Sequence, residues 1–371
     1  MRTLFVAGPG GSGCTTLAVA TALKAARDGL RTHLISADAL PGQELPGVEV
    51  TRLVPSERLR EDLLALQERA GSALDLLGAA KLDADELTPL PGSEELALLR
   101  ALRDSAEADH DLVVVDMPAA PRAVAALALP EQLRRYLRRL LPAERQAARA
   151  LRPVLGRLAG VPMPTEGLYE AAARWDAELA AAQAVIDADS TLVRLVAEPT
   201  LAAAEILRAT GTGLALLGLR TEALLANRML PDGSTDPWLA DAAARQRKIV
   251  GQWPGAYEIP HLGHDPSGRD DFDALDVPSP GVPGPRGPWP MEDRIADDGV
   301  LVWRIPLPGA VREELTLIRR GNEIVVGAGA FRRIVPLPSA LRRCTVAGAG
   351  LTDGELCVRF APDPDLWPQT R

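Results

Sequence analysis

Residues 4–16 read Leu4-Phe5-Val6-Ala7-Gly8-Pro9-Gly10-Gly11-Ser12-Gly13-Cys14-Thr15-Thr16. A short apolar run enters a loop with glycines at 8, 10, 11 and 13. Thr15 and Thr16 then open an Ala- and Leu-rich segment with helical spacing. This is the layout of a phosphate-binding loop. Glycines let backbone N–H groups curl around an anion, and the following helix points its positive N-terminal end at it. Such loops carry a lysine next to the hydroxyl pair, and this chain has Cys14 there. The motif predicts a strand, a loop and a helix, and it questions whether the loop still takes ATP.

The neighbouring segments extend the pattern. Residues 32–36 form a second apolar strand after a helix over 15–28, which makes a βαβ unit. Residues 111–116 (Asp111-Leu112-Val113-Val114-Val115-Asp116) read as a buried parallel strand ending in a carboxylate. The runs at 192–196, 213–219 and 223–227 continue the alternation. The prediction is an α/β, mostly parallel, doubly wound sheet of the P-loop NTPase type. Helical stretches at 56–77, 93–108, 131–159 and 165–188 exceed what crossovers need. They predict either a helical subdomain, inserted at about 56–108 and 131–188, or helices packed on the sheet faces. Leu133, Leu137, Leu140, Leu141, Leu151 and Leu155 then line a client groove or serve as core.

Past the first domain (residues 1–263) the composition changes. Residues 264–296 are rich in Pro, Gly and Asp and read as a linker or an ordered loop without helix or central strand. Residues 297–362 carry short strands at 299–307, 314–319, 323–326, 331–337, 344–346 and 355–360, with a Gly321-Asn322 turn. Such spacing predicts a small all-β sandwich. Residues 363–371 form a tail.

Composition excludes some functions. The 371-residue chain is 47% hydrophobic but only 4% aromatic, so its core rests on Leu, Ala and Val. A net charge of −9 gives no general attraction to nucleic acid. The three cysteines, Cys14, Cys344 and Cys357, are far apart, which argues against a disulfide framework or a cysteine zinc site. No integral membrane segment is expected, because no run approaches the ~20 apolar residues of a span. The expected location is cytoplasmic. His261 and His264 beside Asp265 offer a weak metal pair or, more simply, loop hydrogen bonds.

The N-terminal loop resembles that of the arsenite-pump ATPase family, which includes the tail-anchored-protein targeting ATPase. The family pattern is G-K-G-G-V-G-K-T-T. Here Gly8, Gly10, Gly11, Gly13, Thr15 and Thr16 match, Ser12 replaces valine, and Pro9 and Cys14 replace the two lysines. Ile35-Ser36-Ala37-Asp38 resembles the family's switch I, where the Asp positions the attacking water. Asp116-Met117-Pro118-Ala119-Ala120-Pro121-Arg122 resembles switch II, with proline and arginine in place of its glycine and histidine. Val193-Arg194-Leu195-Val196 and Asn227-Arg228-Met229-Leu230-Pro231 complete the match, the Asn being the residue that reads adenine in the family. The resemblance implies ATP or ADP held with Mg²⁺, Thr15 as a metal ligand, Asp38 and Asp116 as catalytic groups, and a dimer. The lost lysines imply a non-hydrolysing chaperone, adaptor or regulatory subunit that binds hydrophobic segments or an active paralogue, or even a chain that binds no nucleotide. The alternative is a working ATPase in which Arg122 or a partner residue compensates. Arsenite transport is not expected, since no cysteine cluster is available to a soft metalloid.

The second domain resembles an α-crystallin (small heat-shock protein) domain. The match rests on Pro308-Gly309, the Gly321-Asn322 turn, Phe331 to Pro338, and Ala349, Leu351, Asp353, Gly354, Leu356 and Val358. The family's terminal I-x-I motif has no counterpart in the closing Leu366-Trp367-Pro368, so large heat-shock-type oligomers are not expected.

Overall fold

The computed structural model describes residues 1–38, 45–54, 60, 64, 67, 82–88, 90–140 and 166–367. Seven strands form one parallel sheet: β1 (Arg2–Ala7), β2 (Thr32–Ser36), β3 (Val48–Arg52), β4 (Leu112–Asp116), β5 (Thr191–Ala197), β6 (Thr221–Met229) and β7 (Tyr257–Pro260). Their order is β3-β2-β4-β1-β5-β6-β7. The chain winds outward from β1 in both directions, so the central strand lies at the crevice where winding reverses. β1 pairs with β4 (Phe5 opposite Val115) and with β5 (Ala7 opposite Leu195).

Helices cover each face. On one side α1 (Cys14–Arg27) buries Leu17, Val19 and Leu23 against Leu4, Val6 and Val114. On the other, α2 (Ser93–Glu107), α3 (Ala120–Leu140), α4 (Glu166–Asp187) and α5 (Leu201–Leu216) bury Leu99, Leu102, Leu127, Leu179 and Leu207 over Phe5, Val113 and Val193. The described helices therefore pack on the sheet. Leu133 and Leu137 join that core at its margin, whereas Leu140 is exposed. The expected helix at 56–77, apart from residues 60, 64 and 67, and groove residues Leu141, Leu151 and Leu155 lie outside the described residues.

Two boundaries differ from the sequence reading. Helix α3 starts at Ala120, directly after β4, and contains Pro130. Proline costs a helix one hydrogen bond, but Pro130 is buried with the apolar face that holds the helix down. The run 213–219 is not a strand: Gly213 to Leu216 finish α5. Tertiary contact decides this, because Gly213 lets Phe331 and Val124 approach where a Cβ would lie 2.7 Å and 2.9 Å from their carbons.

The segment expected as a linker is partly structured. α6 (Pro237–Val250) precedes β7, and then α7 (Arg269–Ala274) packs beside α1 through Phe272, Leu275 and Val277. Lys24 donates to the Val277 carbonyl at 2.6 Å. Farther on, Glu222 accepts from the Gly281 N–H at 2.8 Å, and Asp189 accepts from the Arg286 N–H at 2.8 Å. The prolines keep this strap extended, and side chains from the sheet satisfy its backbone. β8 (Met291–Arg294) begins right after Pro290, as an edge strand where proline does no harm, and the short α8 (Ile295–Asp298) follows.

The second domain pairs a three-stranded sheet of β10 (Leu315–Arg320), β11 (Glu323–Ala328) and β12 (Phe331–Pro336) with a four-stranded one. The latter has the order β13 (Cys344–Thr352), β14 (Glu355–Pro362), β9 (Val300–Pro306) and β8. Both are antiparallel, with Trp303, Ile305, Ile324, Val326, Val358 and Phe360 between them. Leu216 of α5 enters the same core, so the domains share apolar packing.

A buried ion pair ties sheet to strap. Arg194 is 0% exposed; it donates to Glu222 at 2.6 Å, to Thr21 at 2.9 Å and to the Ser279 carbonyl at 3.4 Å. Removing one partner of such a pair leaves a buried charge, at a cost of about 3–5 kcal/mol. Arg194→Ala should therefore lose about that much stability in urea unfolding, and the apolar double replacement of Arg194 and Glu222 by Leu should regain most of it. A loss below about 1 kcal/mol for Arg194→Ala would contradict this account.

Candidate functional site

The glycine loop sits where β1 ends, between the ends of β4 and β5. Its turn is left-handed at Gly11 (φ 79°) and Gly13 (φ 89°), and α1 begins at Cys14. The loop is bound to its surroundings through polar contacts. Ser12 Oγ donates to the Val196 carbonyl at 3.1 Å, and its N–H donates to the Pro9 carbonyl at 3.2 Å. Asn227 Nδ2 donates to the Ser12 carbonyl at 2.8 Å, and a Cβ on Gly13 would come within 2.4 Å of that nitrogen. Glycine is thus required at 13 for close approach as well as for its φ. Asn227 is buried and braces the loop from β6. The Ala120 N–H donates to the Gly8 carbonyl at 2.8 Å, which joins switch II to the loop.

Carboxylates and hydroxyls gather beside the first turn of α1, which also holds Thr16. Thr15 Oγ1 donates to Asp38 at 3.3 Å. Ser36 Oγ donates to Asp116 Oδ2 at 2.7 Å and accepts the Asp38 N–H at 3.2 Å. Asp116 is buried at the end of β4. Burial pushes its carboxyl up to about 6, with Asp38 adding repulsion and the hydrogen bonds from Ser36 and Thr15 opposing the rise. Asp116 Oδ1 has no partner among the described residues. An orphan carboxylate oxygen beside a threonine hydroxyl and a second carboxylate is a donor set suited to Mg²⁺, a hard cation that takes oxygen ligands. For phosphate the fit is poorer. The loop and helix end are present, but the side chain at the lysine position carries no charge.

Cys14 is partly buried, and its Sγ lies 3.4 Å from Ser12 Oγ. Burial pushes the thiol up to about 12, so a lowered, reactive thiol does not form here. Lys24 is engaged with Val277, as described above. Arg122 does not face the loop carbonyls: its guanidinium donates to Glu94 at 2.6 Å and to Glu95 at 2.8 Å, both on α2. Asp38, Asp116, Glu94 and Glu95 line one small cleft of about 50 Å³ with Met117 and Pro118.

Sequence reading missed one cation. Arg228 follows Asn227 and adopts a left-handed φ of 57°, unusual for a residue with a long side chain. Its guanidinium donates to the Gly11 carbonyl at 3.1 Å and lies 3.6 Å from Glu198. The signal was its position directly after the Asn of a strand that ends beside the loop. The histidine pair is engaged locally. His261 Nδ1 accepts the Gly263 N–H at 2.8 Å, and His264 lies 3.8 Å from Asp271. Among the described residues no group of three or more His, Cys, Asp or Glu is placed to hold a metal ion. No helix among them is long and apolar enough to cross a membrane.

Comparison with known proteins agrees with this architecture. The family model for anion-transporting ATPases matches residues 1–264. A model for an HSP20-like domain found in such ATPases matches residues 298–360. An uncharacterized protein of Streptomyces coelicolor is 61% identical, with 100% of each chain covered. The Mycobacterium tuberculosis protein Rv2184c is 31% identical over 98% of this chain and 97% of its own. An Aquifex aeolicus protein whose name describes an arsenical pump-driving ATPase is 25% identical over 96% of this chain and 99% of its own. The parallel-sheet domain and the appended sandwich coincide with these two matches, and the chain belongs to the anion-transporting ATPase family, with a C-terminal HSP20-like domain.

Proposed function

We propose that this chain is a non-hydrolysing member of its family that acts as an adaptor or regulatory subunit. The observation that carries the reading is Cys14, a neutral side chain where the resemblance expects the phosphate-holding lysine, with Lys24 and Arg122 engaged elsewhere. A charge-assisted hydrogen bond contributes about 1.5–3 kcal/mol, so its loss weakens nucleotide binding by about 10–100-fold. Hydrolysis suffers more, because charge at the transferred phosphoryl group goes unneutralised. Pro9 removes one loop N–H, and Ser12 spends another on Pro9. Thr15, with Asp38 and Asp116 behind it, would hold a Mg²⁺ ion, which supplies charge neutralisation when bound.

The loop end of the sheet also supports a partner. α5 and α6 both start there, and they leave Leu201 79% and Trp238 72% exposed. An apolar pair on that face suits pairing with a second copy or with an active paralogue that brings its own lysine. The same reading keeps hydrophobic segments as clients.

A second reading, a working ATPase, has two observations in its favour. The chain Thr15–Asp38–Ser36–Asp116 is intact, and Arg228 touches the loop. Steady-state turnover separates the two. The adaptor reading expects no MgATP turnover above background in wild type and no change in Asp38→Asn. Turnover in wild type that Asp38→Asn abolishes would establish the ATPase.

Restoring the lysine gives a second check. Cys14→Lys should tighten ATP binding by about 10–100-fold in equilibrium dialysis. A change below about threefold would mean that another cation already fills the role.

A further inference from the structure

A groove of about 650 Å³ lies between α3, the C-terminal end of α4 and β12 of the second domain. Its walls come from both domains, and none of its lining residues belongs to the glycine loop. Arg134, Arg135, Arg138, Arg139, Arg332 and Arg333 line it, against the carboxylates Glu131, Asp187 and Glu323. This cationic surplus stands out on a chain of net charge −9.

The pairing inside the groove is incomplete. Arg333 reaches Glu131 at 3.1 Å, and Arg135 reaches Glu323 at 2.7 Å. Arg134 and Arg138 share the single carboxylate of Asp176, at 3.2 Å and 3.4 Å. Asp187 accepts from Gln183 at 2.8 Å. Arg139 and Arg332 have neither a hydrogen bond nor an ion pair among the described residues, and both are exposed. The helix dipole accounts for basic residues in the last turn of α3. It does not account for Arg332, which comes from a different domain, nor for two like-charge i,i+4 pairs on one helix, Arg134 with Arg138 and Arg135 with Arg139, which disfavour that helix.

A second, independent feature points the same way. Gln183 lines the groove and is only 8% exposed, yet its Oε1 is buried with no hydrogen-bond partner. A buried acceptor without a donor is costly, and a ligand hydroxyl would satisfy it.

We propose that this inter-domain groove binds a small polyphosphorylated ligand, with Arg139 and Arg332 as its phosphate anchors. Arg139 also acts at a distance on Glu323. Guanidinium groups hold phosphate oxygens in a two-pronged fork, and arginine is the side chain suited to that geometry. The cluster surrounds the anion from two domains, so occupancy clamps α3 to β12. Two sources share this chemistry: an inorganic polyphosphate, and an organic bisphosphate whose hydroxyl also reaches Gln183.

The test is calorimetric titration of the full chain with sodium tripolyphosphate and, separately, with fructose 1,6-bisphosphate at low salt. At least one probe should bind at or below about 1 mM. Arg139→Gln combined with Arg332→Gln should weaken that binding by about tenfold or more. The control pair Arg245→Gln with Arg312→Gln, exposed arginines outside the groove, should leave it within about twofold. Tighter binding of the sugar bisphosphate, lost in Gln183→Leu, supports the organic source. Equal or tighter binding of tripolyphosphate supports the inorganic one. No binding of either probe, or binding that the groove variant leaves unchanged, overturns the site.

Discussion

The site depends on one contact, the 2.8 Å hydrogen bond from Asn227 to the Ser12 carbonyl. It joins the last part of β6 to a loop that begins at the end of β1, two strands away in the sheet. The bond is possible only because residue 13 lacks a side chain. Ser12 adds a second brace to β5 through Val196, and Arg228 a third through the Gly11 carbonyl. A loop held in this way has its curvature set by contacts within the chain. Glycine torsions and backbone braces therefore set the curvature of the loop, independently of the side chain at Cys14.

The same separation of shape from charge runs through the carboxylates. Asp38 and Asp116 stay in reach of Thr15 through Ser36. Asp116 sits in a buried pocket with its carboxyl raised to about 6 and one oxygen unpaired. In a charged nucleotide site, nearby cations would lower such a carboxyl. Here burial outweighs the hydrogen bonds from Ser36 and Thr15, and Asp38 adds repulsion. Arg122, which stands where the family has a histidine, is neutralised by Glu94 and Glu95. The second domain is attached by packing as well as by the strap. Leu216 enters the sandwich core, Arg135 of α3 pairs with Glu323 of β11, and Arg333 of β12 pairs with Glu131 of α3. The HSP20-like domain is thereby fixed against the helices α3 and α5.

Much of this was legible in the sequence for local reasons. The strands β1 and β4 are largely apolar runs, as expected of a parallel sheet covered on both faces. The turns at Gly321-Asn322 and Asp353-Gly354 fixed the hairpins of the sandwich, and Asp353 indeed takes a left-handed φ of 50°. What escaped depends on contacts distant in sequence. Pro130 looked like a helix boundary, but tertiary burial carries α3 through it. The Pro-rich strap looked like a linker because its partners, Lys24, Arg194 and Glu222, lie far away in the chain. The glycine loop was read from its spacing, whereas Arg228, despite following Asn227, was not, because its left-handed turn back onto Gly11 depends on a contact distant in sequence. Asn227 was marked by resemblance as the residue that reads adenine, whereas its bond to the Ser12 carbonyl, 215 residues away, has no local signal.

The claim that shape has outlived charge is tested most directly by calorimetric titration of the purified chain with MgATP and MgADP. The account predicts no binding, or binding no tighter than about the millimolar range, because one charge-assisted bond to the phosphates is missing. A dissociation constant in the micromolar range would contradict it, and would mean that the glycine loop, the helix end and Arg228 suffice to hold a nucleotide.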